Sequence, residues 1–404
     1  MAAHGTDVDR VLHEAASLKI ETPSWGYGDT GTRFGTFPYP GAARDVYEKV
    51  ADAALVHSLT GVCPTVALHI PWDTVDDWSA LRQYAETAGV SIGSINPNLF
   101  QDHHYKLGSL SHPDTTVRLQ ARQHLVDCVD IAREAGSSVV SLWLADGTSY
   151  AGQDDMRSRK HRLQESLQDV YGSLPGGMRL LIEYKLFEPA FYHTDLADWG
   201  MAHSLSVNLG PQVQVLVDMG HHAQGTNIEH IVAHLLDEGR LGGLHFNGRK
   251  YGDDDLIVGS VNPFELFCVF CELRWAQEDP AVAVQSRQVA YMIDQSHNIE
   301  PKLEAMVQSV VNIQTAHVKS WLVDGDRLRQ AQENGDVLRA HRALMSAFET
   351  DVRPLVAEGR RVLGVEPDPI DALRRGGHQE RLARQRHSPH PSPSGYPSSA
   401  GRVT

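Results

Sequence analysis

Four short apolar runs in the second half of the chain each end in residues able to bind a divalent cation, and this pattern constrains the fold more than any other. They read LLIEYK (Leu180 to Lys185), VQVLVDMGHH (Val213 to His222), GGLHFN (Gly242 to Asn247) and QVAYMID (Gln288 to Asp294). Each is rich in branched aliphatics and bounded by polar or turn residues, as a strand buried on both faces would be. The segments between them are long enough for helices. Glu183, Asp218, His221, His245 and Asp294 therefore fall at or just past the C-terminal ends of successive strands. Carboxylates and a histidine, one per strand end, suit a borderline-hard ion such as manganese, cobalt or magnesium. Asp218-x-x-His221, with alternate aspartates Asp253 and Asp255, offers ligands for a second ion nearby. Each piece alone is ordinary, since Asp-Asp-Asp is usually a solvated turn. Together they are not, because buried charges persist only when paired or coordinated.

Upstream, the same alternation continues. An amphipathic helix is expected over residues 7–17, then a first strand in LKIET (Leu18 to Thr22). TVALHI ending near His69, VSIGSIN ending at Asn96 and SSVVSLWLAD ending at Trp143 read as three more strands. Helical stretches separate them, one opening at Pro113-Asp114 with the acidic and hydroxyl residues that helix N-termini prefer. Eight strands alternating with helices imply parallel crossover units. Both a doubly wound sheet and a closed barrel satisfy that pattern. The count of eight, and polar residues ending nearly every strand, favour an α/β fold of the (β/α)8 TIM-barrel type, whose active sites gather where the eight loops converge. The expected organisation is a barrel over residues 1–298, a helical extension over 299–374, and a flexible Pro-, Ser-, His- and Arg-rich tail over 375–404.

Composition narrows the function. A formal charge of −15 argues against nucleic acid and anionic membrane surfaces. No apolar run is long enough to span a bilayer, and the start lacks the pattern of a secretory signal, so a cytoplasmic enzyme is the expectation. Cys268-x-x-Cys271 lies in an apolar helical stretch without a second ligand pair, and reads as buried thiols rather than a zinc or redox site. A literal G-x-G-x-x-G at Gly26, Gly28 and Gly31 is followed by Phe34, Phe37, Pro38, Tyr39 and Pro40 instead of a helix. Without a helix N-terminus to hold a pyrophosphate it is not a dinucleotide motif. The aromatic density of that loop implies that it covers a pocket or lies in a subunit interface.

Glu183-x-Lys185, Asp218-x-x-His221, the LHFN around His245, Asp253-x-Asp255 and Asp294-Gln295-Ser296-His297-Asn298 resemble the bacterial L-rhamnose isomerases of broad sugar specificity, among the xylose-isomerase-like barrels. The resemblance runs from about Trp25 past Asn298. It implies a homotetramer with two divalent ions per subunit, of the manganese type, acting on a small sugar. It places Glu183, Asp218, His245 and Asp294 around a structural ion, and His221, Asp253 and Asp255 around a catalytic one. It assigns Lys185 and Asp294 to catalysis and His69 to the sugar near its ring oxygen. Trp25 and Trp143 would line the pocket, Phe34 would enter it from a neighbouring subunit, and Ser296 would touch substrate. The implied reaction is aldose–ketose isomerisation: ring opening by proton transfer through His69, then a hydride shift between C1 and C2, with an enediol route as the alternative. By spacing alone, Asp73, one helical turn after His69, is expected to orient that ring if a helix begins early enough. A ketose 3-epimerase on the same barrel, or a catalytically silent metal-binding barrel, are the competing readings.

Overall fold

A computed structural model describes residues 7–386 apart from 33–34, 189–191 and 297. Eight parallel strands close into a barrel: β1 (Glu21–Pro23), β2 (Thr65–Ile70), β3 (Ser91–Pro97), β4 (Val139–Trp143), β5 (Arg179–Glu183), β6 (Val213–Asp218), β7 (Leu241–Phe246) and β8 (Ala290–Ile293). Each pairs with its sequence neighbours, and β8 returns to β1. The TIM-barrel expectation holds, with additional C-terminal helices. β1 begins at Glu21 rather than Leu18, because Leu18 and Ile20 are buried in the core shared with the surrounding helices, before the Glu21 to Thr65 and Met292 pairings begin.

The helices are α1 (Val8–Ser17), α2 (Val46–Thr60), α3 (Trp78–Ala88), α4 (Thr115–Ala135), α5 (Met156–Tyr171), α6 (Trp199–Leu209), α7 (Ile228–Asp237) and α8 (Pro263–Glu278), with α9 a single turn (Ala283–Ser286). Local chemistry explains their limits. Asp45, Asp77, Asp114, Asp155, Asp198, Asn227 and Asn262 each cap a helix start by accepting backbone N–H bonds. Gly61, Gly89 and Gly136 end α2, α3 and α4 in the left-handed conformation that L side chains avoid. The barrel interior is tightly filled. A Cβ on Gly243 would lie 2.9 Å from Met292 Cε and 3.0 Å from Leu181 Cδ1. Gly93 yields its place to the Glu21 carboxylate, which accepts from the Ser94 N–H at 2.9 Å inside the barrel.

After the barrel come α10 (Lys302–Ser320), α11 (Gly325–Glu333), α12 (Val337–Phe348), α13 (Arg353–Val362) and α14 (Pro369–Arg375). Val318 and Trp321 pack with α1 and α13 around Val11, Ala15, Leu355 and Val356. Cys268 and Cys271 are free and buried against α11 and α12, as the sequence implied; burial pushes the Cys268 thiol up to about 12, which keeps it inert.

Part of the segment expected to be a flexible tail from residue 375 is helical. His378–Gln385 forms a further helix, α15, with Leu382 buried. Arg386 is buried too, its guanidinium 2.7 and 2.9 Å from the two Asp52 oxygens on α2. A long-range ion pair thus orders a segment that composition marked as unstructured. Residues 387–404 lie outside the described residues. Among the described residues no helix is long and apolar enough to cross a membrane.

The loop bearing the glycine triplet forms a short 3-10 turn, Ser24–Gly26, then a two-stranded hairpin of Thr30–Thr32 and Gly35–Phe37. Among the described residues the chain after the glycines pairs as these two strands and not as a helix.

Candidate active site and metal centre

The register of adjacent strands brings the strand-end candidate ligands together. Asp218 on β6 pairs with His245 on β7, and the Asp294 N–H donates to Phe246 O, 3.1 Å away, just past the β7–β8 ladder. Glu183 ends β5. One ligand atom from each of Glu183, Asp218, His245 and Asp294 falls within 4.8 Å of the others, and all but the partly covered Asp294 are buried. His245 Nδ1 lies 3.3 Å from Glu183 Oε1, 3.7 Å from Asp218 Oδ2 and 3.6 Å from Asp294 Oδ2.

The second group sits beside the first. His221 Nδ1 is 3.2 Å from the same Glu183 oxygen and donates to Tyr184 O at 3.1 Å, leaving Nε2 directed at Asp253 Oδ1, 2.9 Å away. A backbone carbonyl on one ring nitrogen is the arrangement that frees the other for a metal. Asp255 faces Asn247 Nδ2 at 3.4 Å, and that amide also donates to Asp218 Oδ1 at 2.9 Å, so Asn247 spans both groups. Asp253 and Asp255 adopt φ values of 51° and 47°. Left-handed backbone is uncommon for residues other than glycine, and it turns both carboxylates inward while Asp254 between them accepts from the Tyr251 N–H at 2.6 Å.

The electrostatics identify what this cluster needs. Burial, aided by the Glu183 and Asp294 carboxylates, pushes Asp218 up to about 7 despite His221 and His245. Burial and the Asp253, Asp294 and Asp218 charges raise Asp255 well above the carboxylate range. Burial disfavours charge on the imidazoles, yet the carboxylates outweigh it and lift His221 to about 10 and His245 to about 9. Protein charges alone leave the cluster short of positive charge, so that histidines are drawn to hold protons. An oxygen- and nitrogen-rich set with that deficit fits a divalent cation.

A cavity opens over the cluster, at the C-terminal end of the strands. Trp25 forms one wall and donates from Nε1 to Asp294 Oδ1 at 2.8 Å. Trp143 forms another, with the Lys185 ammonium 4.9 Å from its ring centre. Lys185 bonds Asp253 Oδ2 at 2.5 Å and Glu188 at 2.8 Å. Burial opposes its charge, but these two carboxylates win and raise its pKa. His69 lines the cavity, stacked on Trp72 at 3.9 Å, with Nδ1 lacking a hydrogen-bond partner among the described residues. Burial first, then Lys49 and His124, hold its pKa well below the usual histidine value, so the ring is neutral.

Not every expectation is met. Asp73 does not bond the His69 ring: its Oδ2 accepts from the His69 backbone N–H at 2.8 Å, because the chain turns there instead of entering a helix. Ser296 is half-buried and is not part of the cavity wall. Phe34 lies outside the described residues. Trp72, Asn96, Phe100 and Glu188 line the cavity without having been singled out. Trp72 follows His69 within a strand-end loop, a signal that was present; Phe100 and Glu188 sit in irregular segments where no periodicity pointed inward. The loop histidines His103 and His104 cluster with Asp102 at the exposed surface, where Asp102 accepts from the His104 N–H at 2.8 Å.

Residues 59–265, half of the chain, match the family model described as xylose isomerase-like TIM barrel. The chain belongs to that family. A probable sugar isomerase of Rhizobium meliloti (strain 1021) is 41% identical over 391 residues, 96% of this chain and 90% of the relative. A second, from Mesorhizobium japonicum, is 39% identical over 95% of this chain and 89% of its own. A xylose isomerase of Thermus thermophilus is 26% identical over 45% of this chain and 49% of its own. Among solved structures, L-ribulose 3-epimerase superposes with a TM-score of 0.57 at 14% identity, covering 76% of this chain and 98% of that one. D-psicose 3-epimerase from Clostridium cellulolyticum H10 gives 0.52 at 13% identity, covering 74% and 96%. At such identities these structures speak to the xylose isomerase-like fold alone.

Proposed function

We propose that the protein is a metal-dependent aldose–ketose isomerase that converts L-rhamnose, or a closely related aldose, to the corresponding ketose, L-rhamnulose. The observation that carries this reading is the shared Glu183 oxygen, 3.2 Å from His221 and 3.3 Å from His245, which sets two ligand groups side by side beneath one cavity. Glu183, Asp218, His245 and Asp294 would hold one ion, and His221, Asp253 and Asp255 another. Manganese, cobalt and magnesium all suit these donors. Bound there, such ions would polarise the carbonyl and stabilise negative charge on O1 and O2 of the opened sugar.

The chain's own groups account for the remainder. Neutral His69 takes the proton from the O1 hydroxyl and returns it at O5 as the ring opens. Lys185, kept charged by Asp253 and Glu188, donates to the sugar oxygen on which charge develops as hydrogen passes between C1 and C2. Trp25, Trp143 and Phe100 exclude water from that transfer, with Phe100 and Trp143 in edge contact at 4.7 Å. Asp294, held by the Trp25 indole, stays fixed while the substrate shifts.

A ketose 3-epimerase on the same barrel is the second reading. Asp at 294 in place of a second strand-end glutamate, and the extra Asp253-x-Asp255 pair, count for isomerisation instead. The deciding experiment incubates the protein with manganese and L-rhamnose, scoring ketose formation by colour reaction, and in parallel with L-ribulose, scoring its C3 epimer by chromatography. Ketose from rhamnose is expected; an epimer alone would overturn the isomerase reading, and inertness towards both with tightly bound metal would favour a silent scaffold. We further propose a cytoplasmic enzyme, and by resemblance to the rhamnose isomerases a homotetramer.

A further inference from the structure

Beneath the cavity wall lies an ion pair with no solvent contact. Lys49 Nζ on α2 is 2.6 Å from Asp73 Oδ1, and both side chains are 0% exposed. Burying two opposite charges stabilises little, because desolvation offsets their attraction; apolar residues of similar volume do as well or better. Stability therefore does not explain these residue types. The second Asp73 oxygen does. Oδ2 accepts from Ser24 Oγ at 2.5 Å and from the His69 N–H at 2.8 Å. Ser24 precedes Trp25 in the turn after β1, and His69 lies at the end of β2. One carboxylate, anchored by a helix lysine, thus ties together the turns that present Trp25 and His69. Their rings meet edge to face at 5.7 Å, and Trp25 continues the chain of contacts to Asp294.

We infer that Lys49 and Asp73 are positioning residues, which fix the Trp25–His69 wall so that the imidazole meets the sugar's ring oxygen. This rests on the reading of His69 as the ring-opening group. The lysine also acts through its charge. The groups facing His69 are Lys49 on α2, His124 on α4 and Asp73 on its own turn, with Asp294 beyond the Trp25 indole. The Lys49 ammonium is among the causes that keep the imidazole neutral, after burial itself.

The test compares the apolar double variant Lys49→Leu/Asp73→Leu, the single variants Lys49→Met and Asp73→Asn, and His69→Asn, all in the full chain with manganese. The double variant should fold and bind manganese like the wild type, yet lose roughly a hundredfold in kcat on L-rhamnose with KM changed little, as for misplaced catalytic groups. Asp73→Asn, which keeps the volume, should lose kcat in the same direction should the double variant not fold. In Lys49→Met the His69 imidazole, followed by NMR through a labelled ring carbon, should take its proton at higher pH than in the wild type. Wild-type kcat in the double variant or in Asp73→Asn, with His69→Asn inactive, overturns the positioning role alone. Wild-type kcat in His69→Asn overturns the reading of His69, and this inference with it.

Discussion

The two ligand groups that share Glu183 are built in opposite ways. Glu183, Asp218 and His245 stand on or at the ends of strands, fixed by ladder hydrogen bonds, and Asp294 follows β8 by one residue. His221, Asp253 and Asp255 come from two loops, with both aspartates in left-handed backbone and Asp253 drawn by Lys185 as much as by His221. The first group is part of the barrel's own architecture; the second is added to it and can change without unfolding the strands. On the proposed two-ion reading, placing one ion's ligands on strands and the other's on loops would let the chemistry shift during turnover while the frame does not.

That contrast can be broken most sharply by removing one ligand from each side. His221→Ala or Asp255→Ala should lower kcat by on the order of 10³-fold, as loss of charge stabilisation at the reacting oxygens does, with the melting temperature little changed. Wild-type turnover in either variant would mean the loop group holds no catalytic ion. Glu183→Ala should abolish activity and also lower the melting temperature, by roughly 5–10 °C, because it strips a partner from both imidazoles and leaves buried charges unbalanced. An unchanged melting curve, with and without chelator, would erase the distinction between the groups.

A smaller effect provides a control outside the cavity. His317 on α10 bonds the Glu14 carbonyl at 3.2 Å, and burial pushes its pKa down to about 4. The unfolded chain takes up this proton near the ordinary value of about 6.5, the folded chain only near 4. Its contribution to stability is therefore complete above pH 6.5 and is lost as pH falls towards 4. His317→Leu should flatten that part of the acid limb in denaturant melts, with or without manganese; a limb of unchanged slope would count against a neutral buried His317. The smallest effect belongs to Asp254→Ala. Asp254 closes the turn instead of facing the cluster, so about 1 kcal/mol of stability should go while manganese affinity stays within a few-fold. A tenfold loss of affinity would make all three aspartates ligands.

Much of this was legible in the chain because its signals are local. Alternating apolar runs and helix caps pointed to the barrel, and strand-end polar residues pointed to the cluster of Glu183, Asp218, His245 and Asp294, since a strand's end follows from short-range pattern. The β1 boundary and the α15 helix were not legible. The first depends on pairing across the closed barrel, and the second on an ion pair between Arg386 and Asp52, 334 residues apart. The same distinction explains Asp73, whose spacing from His69 suggested a ring partner but whose carboxylate was claimed by Lys49 and Ser24 from other elements.

Sequence by itself determined the period of the elements, where each strand stops, and which donor types gather at the mouth. Only the tertiary structure decided which of those donors share a ligand atom, which aromatic rings wall the cavity, and that a buried lysine stands behind His69. Period and capping are written in neighbours a few residues apart; the partners of a buried charge are chosen by whatever the closed barrel brings within three ångströms of it.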